Sequence, residues 1–157
     1  MNKRPLKVDL YCLHYNECDP SKCTALKLKR FGLIKFRQKI AGKLRNAILL
    51  SPFAQREISI SDKEILKNYG LIVIDCSWNK LIKFSKISHR NERKLPSLIA
   101  ANPVNYGKWE KLSSVEALSA ALYLTGFKEQ AKFILSKFRW GKEFLKINNQ
   151  ILEVKTY

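Results

Sequence analysis

A chain of 157 residues, 46% of them hydrophobic, can fill one core, is short for two full-sized domains, and is too apolar for a disordered polyelectrolyte. Thirty Lys and Arg against thirteen Asp and Glu give a formal net charge of +17, a surface suited to RNA or DNA. No apolar run reaches the roughly 20 residues of a membrane span. The N-terminal MNKRPLKVDLYCLHY is too broken by charge for a signal peptide, so a cytoplasmic protein with no membrane association is expected.

In chain order, LKVDLYCLHY (6–15) reads as a first strand, emptying into the turn-forming NECDPSKCT. A basic helix, ALKLKRFG, follows and closes at Gly32. Residues 20–56 hold ten basic residues and no acidic one. NAILLSP (46–52) reads as a second buried strand, stopped by Pro52. The box Ser61-Asp-Lys-Glu64 predicts a helix start, and Gly70 its end. LIVID (71–75) is a continuous apolar run, as in a strand covered on both faces.

A short helix, LIKFSKIS, is predicted after Trp78, and LPSLIAANPVNYG (95–107) reads as a fourth strand running into a loop. A second box, Ser113 to Glu116, opens the helix SSVEALSAALYLTG; FKEQAKFILSKF (127–138) is another amphipathic helix. The C-terminal segment is predicted helical to about residue 147. Strands alternating with helices imply an α/β fold with a mostly parallel sheet flanked by helices. Ligands of such sheets sit beyond the carboxyl ends of the strands, which groups Leu50-Ser51-Pro52, Asp75 to Trp78 and Ala100 to Pro103 as candidate loops.

No glycine-rich nucleotide fingerprint and no phosphate loop is present, and neither histidine sits in a hydrolase motif. The cysteines Cys12, Cys18, Cys23 and Cys76 lack zinc-knuckle spacing, so no metal is expected. Asp75 is the single acidic residue between Glu64 and Glu92. Following a strand, it can cap the next helix or act as a general base. Trp78 can be a core aromatic or a pocket wall. The predicted helix end near Ser113 offers amides and a positive dipole to a carboxylate.

The motifs CDPSKCT (18–24), LLSP (49–52), IDCSW (74–78), LPSLIAANPVNYG (95–107) and KLSSVEALSAALYLTG (111–126) resemble, in series, those of the small-subunit rRNA aminocarboxypropyltransferases. The resemblance implies a SPOUT-like fold with a deep trefoil knot at the cofactor site. It implies an N-terminal α/β part at 1–60 with a basic RNA-facing surface, and a knotted cofactor-binding part at 61–157. S-adenosyl-L-methionine is the implied cofactor, and small-subunit rRNA or a pre-ribosomal particle the partner of a monomer. The implied reaction moves the 3-amino-3-carboxypropyl group to a ring nitrogen of a uridine or pseudouridine. By resemblance Thr24, Leu50, Ile74, Trp78, Leu98, Ser113 and Ala117 line the cofactor pocket, and Asp75 is the catalytic base or orienting acceptor. The smaller side chains at Ser113 and Ala117 depart from the usual pattern, and the CDPSKCT segment lacks a fourth thiolate for an iron–sulfur cluster. Lys27, Arg30, Lys35, Arg37, Lys39, Lys43 and Arg45 are the expected contacts to the rRNA backbone. A SPOUT-type methyltransferase and a non-catalytic rRNA-binding assembly factor are the alternatives.

Overall fold

In the computed structural model of the chain, residues 7–14, 23–75, 89–109 and 111–155 are described. The apolar runs form strands as read: β1 (Leu10–His14), β3 (Ile48–Leu50) and β4 (Leu71–Asp75). Two strands escaped the sequence reading, β2 (Lys35–Arg37) and β5 (Glu92–Arg93), both too short and too polar to carry a hydrophobic period. The sheet runs β2-β1-β4-β3-β5, and every pairing is parallel. The expected α/β architecture, a mostly parallel sheet with flanking helices, is therefore present.

Alternation splits the sheet into two covered faces. Leu10, Cys12, Ile48, Leu50, Leu71 and Val73 join the main core under the helices. Tyr11, Leu13, Leu49 and Ile72 join a smaller cluster with Leu44, which comes from the 3₁₀ turn Gly42–Asn46. Burial on both faces is what the unbroken apolar LIVI of β4 requires. Gly70 ends the preceding helix α2 (Lys63–Tyr69) with φ 98°. A Cβ there would lie 2.7 Å from the Asp9 carbonyl oxygen, so the turn into β4 needs glycine.

Helix α1 (Thr24–Arg30) follows β1. The helical layer continues with α3 (Ser114–Leu124), α4 (Lys128–Leu135), α5 (Gly141–Ile147) and α6 (Asn149–Lys155). α3 is central: it packs against α1, β4, α4 and α6 and is buried almost all round. Its Ser119, Ala120 and Ala121 are small enough for that close approach, and the Ser119 hydroxyl donates to the Glu116 carbonyl at 3.0 Å. The helix predicted at 81–88 lies outside the described residues.

Two expectations are corrected. The box at the start of α2 is formed by Ser59 and Asp62 rather than Ser61 and Glu64: the Ser59 amide donates to the Asp62 carboxylate at 3.1 Å. Asp62 is drawn inward by Arg93, whose Nε and Nη2 reach its Oδ1 at 3.2 Å, with both side chains nearly buried. Residues 95–101 are not a strand. Side chains take part of their backbone instead: the Asn148 amide clasps both the Ile99 N–H (2.8 Å) and the Ile99 carbonyl (2.9 Å), while Ala100 pairs with the backbone of the 107–108 turn.

A buried ion pair broken on one side leaves an uncompensated charge. Arg93→Ala is therefore expected to lower unfolding free energy by about 3–5 kcal/mol in urea melts, whereas Lys94→Ala, at an exposed neighbour, should change it little.

Candidate functional site

β1, β4 and β3 end at one edge of the sheet, and parallel register fixes which ends are neighbours. His14 of β1 stands opposite Asp75 of β4, the last residue of each strand. Asp75 is thus at the carboxyl end of a central strand, where open α/β sheets bind ligands. Trp78, with the other residues of 76–88, lies outside the described residues.

Leu50, at the end of β3, shares the main core with Leu98, Ala101 and Val115, and Ala117 packs against the same cluster. Two of the three loops grouped from the sequence thus send side chains into one core. Ile74 is half-buried and packs toward the smaller cluster on the other face, so its side chain is separated from Leu50 and Leu98 by the sheet.

Glu116 organises this edge. It is completely buried and accepts four hydrogen bonds: from the Ala101 N–H (2.6 Å), the Asn102 side-chain amide (2.6 Å), and the Ser113 N–H (2.9 Å) and hydroxyl (2.8 Å). One carboxylate thus pins the 100–102 turn to the first turn of α3. The same Asn102 amide also donates to the Lys111 carbonyl at 3.1 Å, and its oxygen accepts from the Asn105 N–H at 3.0 Å. From sequence, the second capping box points to Glu116 only as a local helix cap; its reach to Ala101 and Asn102 is tertiary and carries no sequence signal.

The N-terminus of α3 is mostly occupied. The Glu116 N–H goes to the Ser113 hydroxyl at 3.4 Å. The Val115 N–H goes to the Thr24 hydroxyl at 3.1 Å, which joins the start of α1 to the start of α3 across 91 residues of chain. The remaining first-turn amide, Ser114, has no partner among the described residues. Thr24 and Ser113 therefore sit together at the helix end that carries the Ser114 amide and the positive end of the dipole.

The seven basic residues occupy α1, β2 and the segment after it. Arg30, Lys35, Lys39 and Arg45 are exposed, and Lys27 lies 4.7 Å over the Phe138 ring. Arg37 lies 5.6 Å over Tyr11. Lys43 meets Asp9 at 3.5 Å; hydrogen bonding to Tyr11, the Tyr11 charge and the Asp9 carboxylate raise its pKa above the ordinary lysine value. β2 is an edge strand, so Lys35 and Arg37 border solvent along the sheet.

Among the described residues no group of three or more His, Cys, Asp or Glu is placed to hold a metal ion. No described helix is long and apolar enough to cross a membrane.

Residues 48–157 match the family model "Ribosome biogenesis protein, C-terminal". Residues 8–38 match "Possible Fer4-like domain in RNase L inhibitor, RLI". That stretch has three cysteines, Cys12, Cys18 and Cys23, and Cys12 is fully buried in the main core, so these residues do not fit the four thiolates of a cluster. The chain is 45% identical over 150 residues to the 16S rRNA aminocarboxypropyltransferase of Methanosphaera stadtmanae, covering 94% of this chain and 86% of that one. It is 41% identical over 148 residues to the enzyme of the same name from Methanocaldococcus jannaschii, covering 92% and 84%. A solved structure of the SAM-dependent rRNA:acp-transferase from Vulcanisaeta distributa superposes with a TM-score of 0.84 at 38% identity, over 98% of this chain and 84% of that one. The chain belongs to the 16S rRNA aminocarboxypropyltransferase family.

Proposed function

We propose that this protein transfers the 3-amino-3-carboxypropyl group of S-adenosylmethionine to a ring nitrogen of a uridine or pseudouridine in small-subunit rRNA, releasing 5′-methylthioadenosine. Near-full-length identity of 45% to an enzyme of that name carries the reading. The donor brings a sulfonium with three electrophilic carbons, so the product depends on which carbon the protein presents to the acceptor.

The chain's residues divide the remaining work. Leu50 and Leu98 supply apolar walls for an adenine, beside the small Ala101 and Ala117. Thr24, Ser113 and the Ser114 amide stand where α1 and α3 begin, a setting suited to the carboxylate of the amino-acid tail. The backbone of Ile74, at the end of β4, is the proposed ribose contact, and Trp78 the wall that buries the methyl group. As the ring nitrogen bonds to the aminocarboxypropyl carbon, that carbon's bond to sulfur breaks and its electron pair stays on sulfur. The imide proton goes to Asp75, the proposed base.

The knot and the SPOUT relationship belong to the same proposal. β4 lies between β1 and β3, with β5 at the far edge beside β3, an order compatible with that fold. The protein is proposed to act in the cytoplasm as a monomer, on rRNA or a pre-ribosomal particle, with the basic surface of 1–60 toward RNA and the cofactor held mainly by 61–157.

Lys27, Arg30, Lys35, Arg37, Lys39, Lys43 and Arg45 are the proposed phosphate ligands. Replacing Lys35 and Lys39 together with glutamate is expected to weaken rRNA binding across all sequences. The slope of log affinity against log salt should fall by about one for each phosphate no longer neutralised. An unchanged slope would remove these residues from the interface.

The reaction is tested by its small-molecule product. Purified protein incubated with S-adenosylmethionine and unmodified small-subunit rRNA should yield 5′-methylthioadenosine by mass spectrometry. S-adenosylhomocysteine instead would make the protein a methyltransferase, and failure to bind the donor would favour a non-catalytic assembly factor.

A further inference from the structure

The loop after the Glu116-pinned turn exposes more apolar surface than a solvated loop has reason to. Val104 and Tyr106 are each 60% exposed and Trp109 54%. These side chains are nevertheless mounted on an ordered frame. The Ala100 N–H donates to the Lys108 carbonyl at 2.8 Å, and the Gly107 N–H to the Ala100 carbonyl at 2.8 Å. The Asn105 N–H donates to the Asn102 carbonyl and side-chain oxygens, and Ile99 bridges Trp109 in antiparallel fashion. Gly107, with φ 80°, makes the turn between the two aromatic residues. Ordered backbone beneath exposed rings is the signature of a binding surface rather than of a slack loop.

Chemistry selects the occupant. Lys108 lies between the aromatics and Lys111 just beyond them, both exposed, on a chain of net charge +17. Flat aromatic rings next to ammonium groups fit a base with its phosphate. The Tyr106 hydroxyl reaches the Glu143 carboxylate at 3.5 Å and still leaves Tyr106 mostly exposed. The bridge to Ile99 sets Trp109 one residue from Leu98 of the cofactor pocket. A nucleotide whose ring nitrogen must be presented to a pocket cannot stay stacked within a helix.

We propose that Tyr106 and Trp109 form a stacking platform for unpaired RNA bases flanking the target nucleotide. The inference rests on the reading that this protein modifies rRNA. In that division of labour the platform holds single-stranded bases, while the basic residues of 27–45 hold phosphates irrespective of pairing.

The test is fluorescence anisotropy with a labelled single-stranded oligouridine of about ten nucleotides, and with its duplex with oligoadenosine, at one fixed salt concentration. Trp109→Ala and Tyr106→Ala should each weaken the single strand roughly tenfold. Duplex affinity and thermal melting should stay unchanged, and Trp109→Phe should keep most of the single-strand affinity because it retains an aromatic face. Equal weakening of single strand and duplex, no weakening of either, or equal losses in Trp109→Phe and Trp109→Ala would overturn the platform. A concentration-dependent dimer abolished by Trp109→Ala would assign the surface to a second copy instead and equally overturn it. Calorimetry of wild type with S-adenosylmethionine separates the two readings. Donor binding with unaffected RNA affinity in the variants sinks the platform alone, whereas a wild type that binds neither donor nor RNA sinks the transferase reading with it.

Discussion

Asp75→Ala is expected to slow aminocarboxypropyl transfer by about 10²–10⁴-fold while leaving donor affinity within a few-fold of wild type. The expectation follows from position. Asp75 ends β4 at the carboxyl edge of the sheet, in register with His14, and is the single acidic residue between Glu64 and Glu92. Pocket walls and tail ligands are assigned elsewhere, to Leu50, Leu98, Thr24 and the start of α3, so the donor keeps its contacts when Asp75 is shortened. The measurement is a single-turnover transfer rate beside a calorimetric donor titration. A variant that lost donor binding in proportion to activity would make Asp75 a binding residue, and full activity would remove it from the chemistry.

Glu116→Ala should have the largest effect on the folded state. It would remove an acceptor from four donors, of which the Ala101 N–H and the Asn102 amide are bonded at 2.6 Å. Buried donors left unpaired cost about 1–3 kcal/mol each, partly relieved by relaxation, so a loss of roughly 3–5 kcal/mol in urea unfolding is expected. Asn102→Ala removes one arm of the same network and should cost about 1–3 kcal/mol. Because Glu116 holds the 100–102 turn against α3, the milder variant should also weaken donor binding without touching the donor. A loss below about 1 kcal/mol for Glu116→Ala would mean that the turn is held by its own backbone bonds.

What the sequence could show depends on the range of the interaction. LIVID as a buried strand, the Ser113 start of α3 and the Gly70 stop were legible because period, cap and glycine act within a few residues. LPSLIAA read as a strand because its side chains are apolar, yet what decides its conformation is Asn148, 49 residues away, pairing with Ile99. Asp62 displaced Glu64 at the α2 box for the same reason: Arg93, 31 residues on, rewards its burial. β2 and β5 are stabilised by the strands they border and have no period of their own. Asp75 stands out in the sequence as a lone carboxylate ending an apolar run, and the fold puts it at the end of β4; the links from Thr24 to Val115 and from Glu116 to Ala101 emerge only when the chain is folded.

The central claim concerns which carbon leaves sulfur, and isotopic placement addresses it most directly. Two reactions with unmodified small-subunit rRNA, one given S-adenosylmethionine labelled in the carboxyl group and one labelled in the methyl group, should differ sharply. Label is predicted to enter RNA from the carboxyl position and to remain with the released thioether from the methyl position. Methyl label in the RNA with none from the carboxyl would contradict aminocarboxypropyl transfer and make this protein a methyltransferase.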